Sequence, residues 1–183
     1  MIDLVNLVLD TVAGLFAGVL LLRFWIQIVR VRPPQQVAQF TFQLSDWIVK
    51  PMRKFIPGTG GFDWASLVAA YLIALLCSVI KVWLTLDALP LTLFILAVFI
   101  LLQWIIYGFT ALLILEVIFS WVNPQAPLAP FVQALNSPLL RPIRQFVPLL
   151  GGLDISPMVL FILLQVASKL VAHLSVMVGM ALL

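Results

Sequence analysis

The chain has 183 residues, of which 64% are hydrophobic and 9% charged, and its mean hydropathy is +1.21. Soluble domains carry about 25% charged residues, so this composition excludes an ordinary soluble protein and indicates an integral membrane protein. The formal net charge is +3, and seven of the ten basic residues lie in two short segments. Such clustering is a topology signal, and we expect no direct nucleic-acid partner.

The first apolar stretch opens with Met1-Ile2-Asp3, which has no basic region and is followed by no small-residue cleavage site. We therefore predict a retained membrane span over about residues 7–28 and no signal peptide. Further spans are predicted at about 64–86, 91–122 and 157–178, since about 20 apolar residues cross a ~30 Å hydrocarbon core. The third stretch is long for one span. We expect one tilted or bent helix, and the alternative is a separate short segment at 88–97.

Between these spans one motif occurs twice with a constant offset of 91 residues, and both copies contain Pro, Arg, Phe, Pro, Gly, Gly and Asp in register. The first copy has Lys50, Pro51, Arg53, Pro57, Gly60, Gly61 and Asp63, and the second has Arg141, Pro142, Arg144, Pro148, Gly151, Gly152 and Asp154. A duplicated polar motif between membrane-length segments indicates two copies of one membrane unit.

We predict an all-α membrane protein of four transmembrane helices, built from two parallel repeats at residues 1–90 and 91–183. Each repeat is a helix, a polar connector (30–63 and 123–156) and a second helix, related by a pseudo-twofold axis along the membrane normal. Both connectors then lie on one side of the membrane. Since they carry most of the Lys and Arg, this side is predicted to be cytoplasmic and both termini periplasmic.

Each connector is predicted to lie in the lipid headgroup layer. In the first, apolar residues follow a helical period opposite Gln and Asp side chains, which is typical of an interfacial amphipathic helix: Val37, Phe40, Leu44, Trp47 and Ile48. Pro51 is expected to open a second short helix.

The glycine pairs are expected to make turns with unusual backbone angles, after which Asp63 and Asp154 cap the following spans, with Ser156 as a rival cap. The motifs have two interpretations. They are either anchors and turns, or sites at which Arg53 and Arg144 bind lipid phosphate or a partner protein. Arg53–Asp63 and Arg144–Asp154 ion pairs would explain the retained arginines equally well.

Five charged residues lie within the spans, where each needs a compensating partner. They are Asp10, Arg23, Lys81, Glu116 and Lys169. From the 91-residue offset we expect Arg23 and Glu116 to pair across the pseudo-twofold axis. Asp10 is expected to pair with Lys81 or Lys169, although Lys81 can instead reach the outer interface. These charges either hold the helices in register or line a proton or cation path.

The sequence offers little catalytic chemistry. One histidine and one cysteine cannot build a zinc or bis-histidine haem site in a monomer, and no nucleotide-binding glycine loop or hydrolytic triad is present. We expect no metal, no cofactor and no enzymatic activity.

The paired motifs resemble the YggT family, also called YlmG. The likeness runs through Leu22-Arg23-Phe24-Trp25 and Trp121-Val122-Asn123-Pro124 and covers nearly the whole chain, although residues 30–34 lack the expected Asn-Pro. The resemblance implies a bacterial inner-membrane protein with relatives in plastids and no agreed activity. It implies links to osmotic tolerance, cation uptake, cell division, nucleoid organisation and cytochrome assembly.

Two functions follow as hypotheses. The first is a non-catalytic scaffold or assembly factor whose connectors contact anionic lipid headgroups or another membrane protein. The second is a small cation channel or transport accessory, acting as a homo-oligomer because four helices leave little room for a pore.

Overall fold

The computed structural model describes residues 2–83, 90–147 and 154–181, which fold into six α-helices and contain no β-strand. The all-α prediction is therefore confirmed. The helices are α1 Ile2–Val29, α2 Gln35–Met52, α3 Trp64–Trp83, α4 Pro90–Val122, α5 Ala129–Phe146 and α6 Ser156–Ala181.

Helices α1, α3, α4 and α6 are long and apolar enough to cross a membrane, which confirms four candidate spans. Helix α1 begins about five residues earlier than predicted. Helix α4 is continuous from Pro90, so a separate segment over residues 90–97 is wrong, and residues 88–89 lie outside the described part of the chain.

Close packing of α3 against its neighbours depends on small side chains. Ala65, Ala69, Ala70 and Ala74 are all at most 1% exposed. Without a hydrophobic force between helices in lipid, such small residues let backbones approach and gain dispersion contacts. Helix α3 packs on both α1 and α4, and α4 packs on α6. Among the described residues, α6 does not contact α1.

Helices α2 and α5 pack on the spans through matching positions. Thr41, Ser45 and Val49 of α2 are buried, and so are the residues 91 positions later in α5, which are Val132, Asn136 and Leu140. The larger apolar side chains of α2, Phe40, Leu44 and Trp47, stay exposed.

The short helix expected to begin at Pro51 is wrong, because Pro51 lies within the last turn of α2. Proline removes only its own N–H, and the N–H of Arg53 still donates to the Val49 carbonyl at 2.9 Å. Beyond Met52 the chain tightens into turns, in which Lys54 and Phe55 donate to the carbonyls of Pro51 and Met52.

Candidate functional site

A polar group that we call the first polar cluster joins α1, α2 and the start of α3: Arg23, Ser45, Asp46, Arg53 and Asp63. The Arg23 side chain is 4% exposed. It donates from Nη1 to Ser45 Oγ at 2.6 Å and to Asp46 Oδ1 at 2.7 Å, and from Nε to Asp63 Oδ2 at 3.0 Å. The guanidinium also lies 4.9 Å from the Phe42 ring centroid, so its positive charge is compensated on several sides.

Asp63 is the centre of this cluster. Its side chain is 1% exposed and accepts hydrogen bonds from Arg23, from Arg53 Nη2 at 2.6 Å and from Ser66 Oγ at 2.8 Å. Burial alone raises the pKa of this carboxyl. The hydrogen bonds from Arg53 and Ser66 and the charges of both arginines outweigh burial, so the pKa lies below its ordinary value.

The structure contains the Arg53–Asp63 ion pair, but it changes the capping role expected of Asp63. Its carboxylate serves these three side chains, whereas its backbone carbonyl accepts the N–H groups of Ser66 and Leu67 at the start of α3. The same aspartate therefore ties α1, the end of α2 and the start of α3 together.

The turn that returns the chain to Arg53 depends on Gly60 and Gly61. Their φ angles are +67° and +82°, in the left-handed region that only glycine adopts freely, as the sequence predicted. The Phe62 N–H donates to the Thr59 carbonyl at 3.2 Å and closes the turn. The corresponding Pro148, Gly151 and Gly152 lie outside the described residues.

A second polar cluster joins α4, α5 and the start of α6: Glu116, Asn136, Arg144 and Asp154. The Glu116 side chain is 7% exposed, and its Oε2 accepts a hydrogen bond from Asn136 Nδ2 at 2.7 Å. The same amide also donates to the Leu112 carbonyl at 2.9 Å. Arg144 Nη2 lies 3.6 Å from Glu116 Oε1.

Arg144 and Asp154 form the ion pair expected of the second motif, with 2.8 Å between Nε and Oδ2. Asp154 also caps α6, since its Oδ1 accepts the Ser156 N–H at 2.9 Å. Partial burial raises the pKa of the Asp154 carboxyl. The hydrogen bonds from Ser156 and Arg144 lower the pKa by more than burial raises it, so the pKa lies below its ordinary value.

The predicted pairing of Arg23 with Glu116 is wrong, because the two residues belong to different clusters. Each lies six residues before the end of its helix, α1 at Val29 and α4 at Val122. They therefore occupy corresponding places in two spans (116 − 23 = 93), and each turns toward the connector that follows it.

The remaining charges in the spans are arranged differently. Lys81 Nζ lies 2.7 Å from Asp10 Oδ1, so Lys81 is the lysine that pairs with Asp10. Lys169 is exposed on α6, and it contacts no acidic side chain among the described residues. Gln103 donates to the Ser168 hydroxyl between α4 and α6.

Each motif also presents an exposed aromatic side chain beside basic groups. Phe55 is 86% exposed and Phe146 is 84% exposed. Lys54 and Arg141 are exposed nearby in sequence, and the paired arginines remain about half exposed. Lys50 is 72% exposed and pairs with Asp46 one turn earlier.

Sequence reasoning missed the polar side chains of the connector helices, chiefly Ser45 and Asn136. Both are fully buried. Their signal was the position itself, since they stand 91 residues apart in the two connector helices. Over the described residues, no group of three or more His, Cys, Asp or Glu side chains is arranged to hold a metal.

Comparison with known proteins gives a family and no established activity. The CCB3/YggT family model matches residues 2–84 and 95–175, which confirms the resemblance seen in the paired motifs. The chain is 36% identical to the uncharacterized protein YggT of Escherichia coli K12 over 90% of this chain and 87% of that protein. It is 36% identical to an uncharacterized Pseudomonas aeruginosa protein, over 94% of this chain and 91% of that protein. No solved structure matches the chain.

Proposed function

This chain belongs to the CCB3/YggT family, and on that basis we propose that it is a non-catalytic bacterial inner-membrane scaffold or assembly factor that acts through its two connectors. The connectors lie at the cytoplasmic headgroup layer, and both termini lie in the periplasm. The family model matches two segments of similar length, which supports two repeats of one unit. The matching burial of α2 and α5 supports the same organisation.

The observation that carries this proposal is that an ion pair holds the motif of each connector in place. In both copies an Arg–Asp ion pair holds the backbone, while one phenylalanine is more than four-fifths exposed next to basic side chains. An exposed aromatic ring with flanking cations suits the boundary between acyl chains and anionic headgroups. A fixed surface of this kind is suited to positioning partners at the membrane.

Topology is supported by the distribution of charge and of tryptophan. Seven of the ten basic residues lie in the connectors. Trp47, Trp64 and Trp121 lie on the same side of the molecule as the connectors and are exposed, as expected of an aromatic belt at a membrane interface.

A crosslinking experiment in living bacteria tests the scaffold function. A photoreactive amino acid placed at Phe55 is expected to crosslink discrete membrane proteins. The matched control places it at Leu76 of α3, which is 59% exposed on a membrane span. Lipid adducts alone at Phe55 would reduce the connectors to anchors and overturn the scaffold function.

The alternative function is a small cation channel or transport accessory, and the buried Glu116 is the observation that favours it. Liposomes holding the purified protein separate the two. We expect no potassium or proton leak above empty vesicles. A leak that Glu116→Gln alters would favour transport.

A further inference from the structure

The contact between α5 and α1 joins the two halves of the chain. Phe131 and Leu135 of α5 are 8% and 0% exposed and pack with Leu22, Trp25 and Ile26 of α1. Trp25 Nε1 also donates to the Leu135 carbonyl at 2.9 Å. This contact buries one face of the second connector on the first span.

Most residues at the corresponding positions are exposed, although Phe119, the counterpart of Ile26, is partly buried against the same cluster. An offset of 91 leads from Phe131 and Leu135 to Phe40 and Leu44 of α2, which are 58% and 37% exposed. Helices α1 and α4 end 93 residues apart, so Leu22 and Trp25 of α1 correspond to Leu115 and Ile118 of α4. These two residues are 42% and 46% exposed. Among the described residues α2 does not contact α4. The chain therefore has both surfaces for a second contact like that between α5 and α1, one on α2 and one on α4. Neither surface is covered.

The contact between α3 and α4 shows the same asymmetry. The hydroxyl groups of Tyr71 and Ser78 donate to backbone carbonyls of α4, and Ala97 of α4 is fully buried. The counterparts of these residues on α6 and α1 are exposed: Ile162, Lys169 and Leu4.

We propose that a second copy of this chain covers these faces, with α2 and α1 of one copy packed on α4 and α6 of the next. The assembly repeats between copies the contacts that join the two halves within one copy, so it rests on the two-repeat organisation proposed above. A rotation of about 180° makes this contact an isologous dimer, and a smaller rotation makes it heterologous and generates a larger ring where it closes. It uses surfaces separate from Phe55 and Phe146.

The chemistry of α6 favours protein over lipid as the occupant. Gln165 and Lys169 are exposed one turn apart on a membrane-spanning helix. Polar side chains within a span normally face other helices, since contact with hydrocarbon is costly. Nearer the start of α6, Ile118 borders an apolar groove of about 290 Å³ between α4 and α6, a place for the aromatic ring of Phe40.

Site-directed crosslinking tests the contact. Two differently tagged chains, one carrying Leu44→Cys and the other Ile118→Cys, are co-expressed in a Cys77→Ala background and treated with a short bismaleimide. We expect a crosslinked species that carries both tags. The matched control replaces Ile118→Cys by Ser120→Cys, an exposed position at the same depth, about 200° around α4. Equal crosslinking of both pairs, or of neither, would overturn the proposal.

Oligomeric state provides a second measurement that does not depend on the cysteine variants. Native mass spectrometry of the wild-type protein released from nanodiscs is expected to give a dimer or larger ring. Phe40→Ser is expected to weaken assembly at least about tenfold, whereas Phe55→Ser, an exposed phenylalanine outside the contact, leaves it unchanged. A wild-type monomer carrying only lipid would overturn the proposal, while the photocrosslinking result at Phe55 would still stand.

Discussion

Ser45 and Asn136 stand 91 residues apart, and each hydrogen-bonds a buried ionisable side chain of the span that precedes it. Ser45 Oγ accepts from Arg23 Nη1 at 2.6 Å, and Asn136 Nδ2 donates to Glu116 Oε2 at 2.7 Å. The two halves thus keep the same site and reverse the sign of its central charge. The hydrogen-bonding residue differs accordingly: the Ser45 hydroxyl accepts from the positive Arg23, and the Asn136 amide donates to Glu116.

The first prediction concerns the coupling between Arg23 and Asp63. Arg23→Ala leaves Asp63 buried with less compensation, and breaking a buried pair in this way costs about 3–5 kcal/mol. In a double-mutant cycle measured by unfolding in detergent, Arg23→Ala and Asp63→Ala should therefore be strongly non-additive.

Two controls accompany that cycle. Arg23→Ala and Glu116→Ala should be additive within about 0.5 kcal/mol, because the residues lie in separate clusters. Lys50→Ala should cost at most about 0.5 kcal/mol, since its pair with Asp46 is largely exposed. Strong coupling between Arg23 and Glu116 would contradict the separation of the clusters.

The second prediction concerns Asn136, whose amide reaches both Glu116 and the Leu112 carbonyl. Asn136→Leu keeps the branched shape and the number of heavy atoms and removes the donor, so the buried Glu116 side chain loses a partner. We expect a loss of about 1–3 kcal/mol in the free energy of unfolding. Gln133→Leu, on the exposed side of the same helix, is the control and should change stability little. An unchanged stability for Asn136→Leu would show that Glu116 does not depend on this bond.

The two Arg–Asp ion pairs could be anticipated from sequence, whereas the partners of Arg23 could not. Arg53 and Asp63 belong to one motif copy, as do Arg144 and Asp154, so the repeated spacing alone brings both pairs together. Arg23 meets Ser45 only because α2 folds back over α1, which is a three-dimensional crossing. The pairing of Arg23 with Glu116 was expected because the two lie at similar depth, but depth does not decide which way a side chain turns, and each turns toward the connector that follows it.

The third prediction concerns acid. The pKa values of Asp46, Asp63 and Asp154 all lie below the ordinary value of 3.8 in the folded protein. As the pH falls below about 4, the unfolded chain takes up protons first, so unfolding becomes more favourable. The stabilisation from these carboxylates is therefore complete above about pH 4 and is lost as the pH drops through their folded pKa values.

Thermal unfolding in detergent from pH 7 to pH 3 checks this prediction. These three carboxyl groups should leave the melting temperature constant from pH 7 down to about pH 4 and make it fall below that pH. Asp154→Asn removes one of the three groups and should make the acid-induced fall shallower. A fall that begins near pH 6 would place the titrating group elsewhere.

The fourth prediction concerns the turn that brings Asp63 back to Arg53. Gly60→Ala puts a side chain at φ +67°, where an L-residue is strained by roughly 1–2 kcal/mol, so the free energy of unfolding should drop by about that amount. We expect this strain to shift Asp63 relative to Arg53 and so to weaken the effect of a second change, Arg53→Ala. Gly18→Ala is the matched control: its added Cβ meets no atom within 4 Å, and its φ lies outside the left-handed region. It should leave stability unchanged or slightly raised. Equal losses for Gly60→Ala and Gly18→Ala would mean that the turn is not what holds the first motif in place.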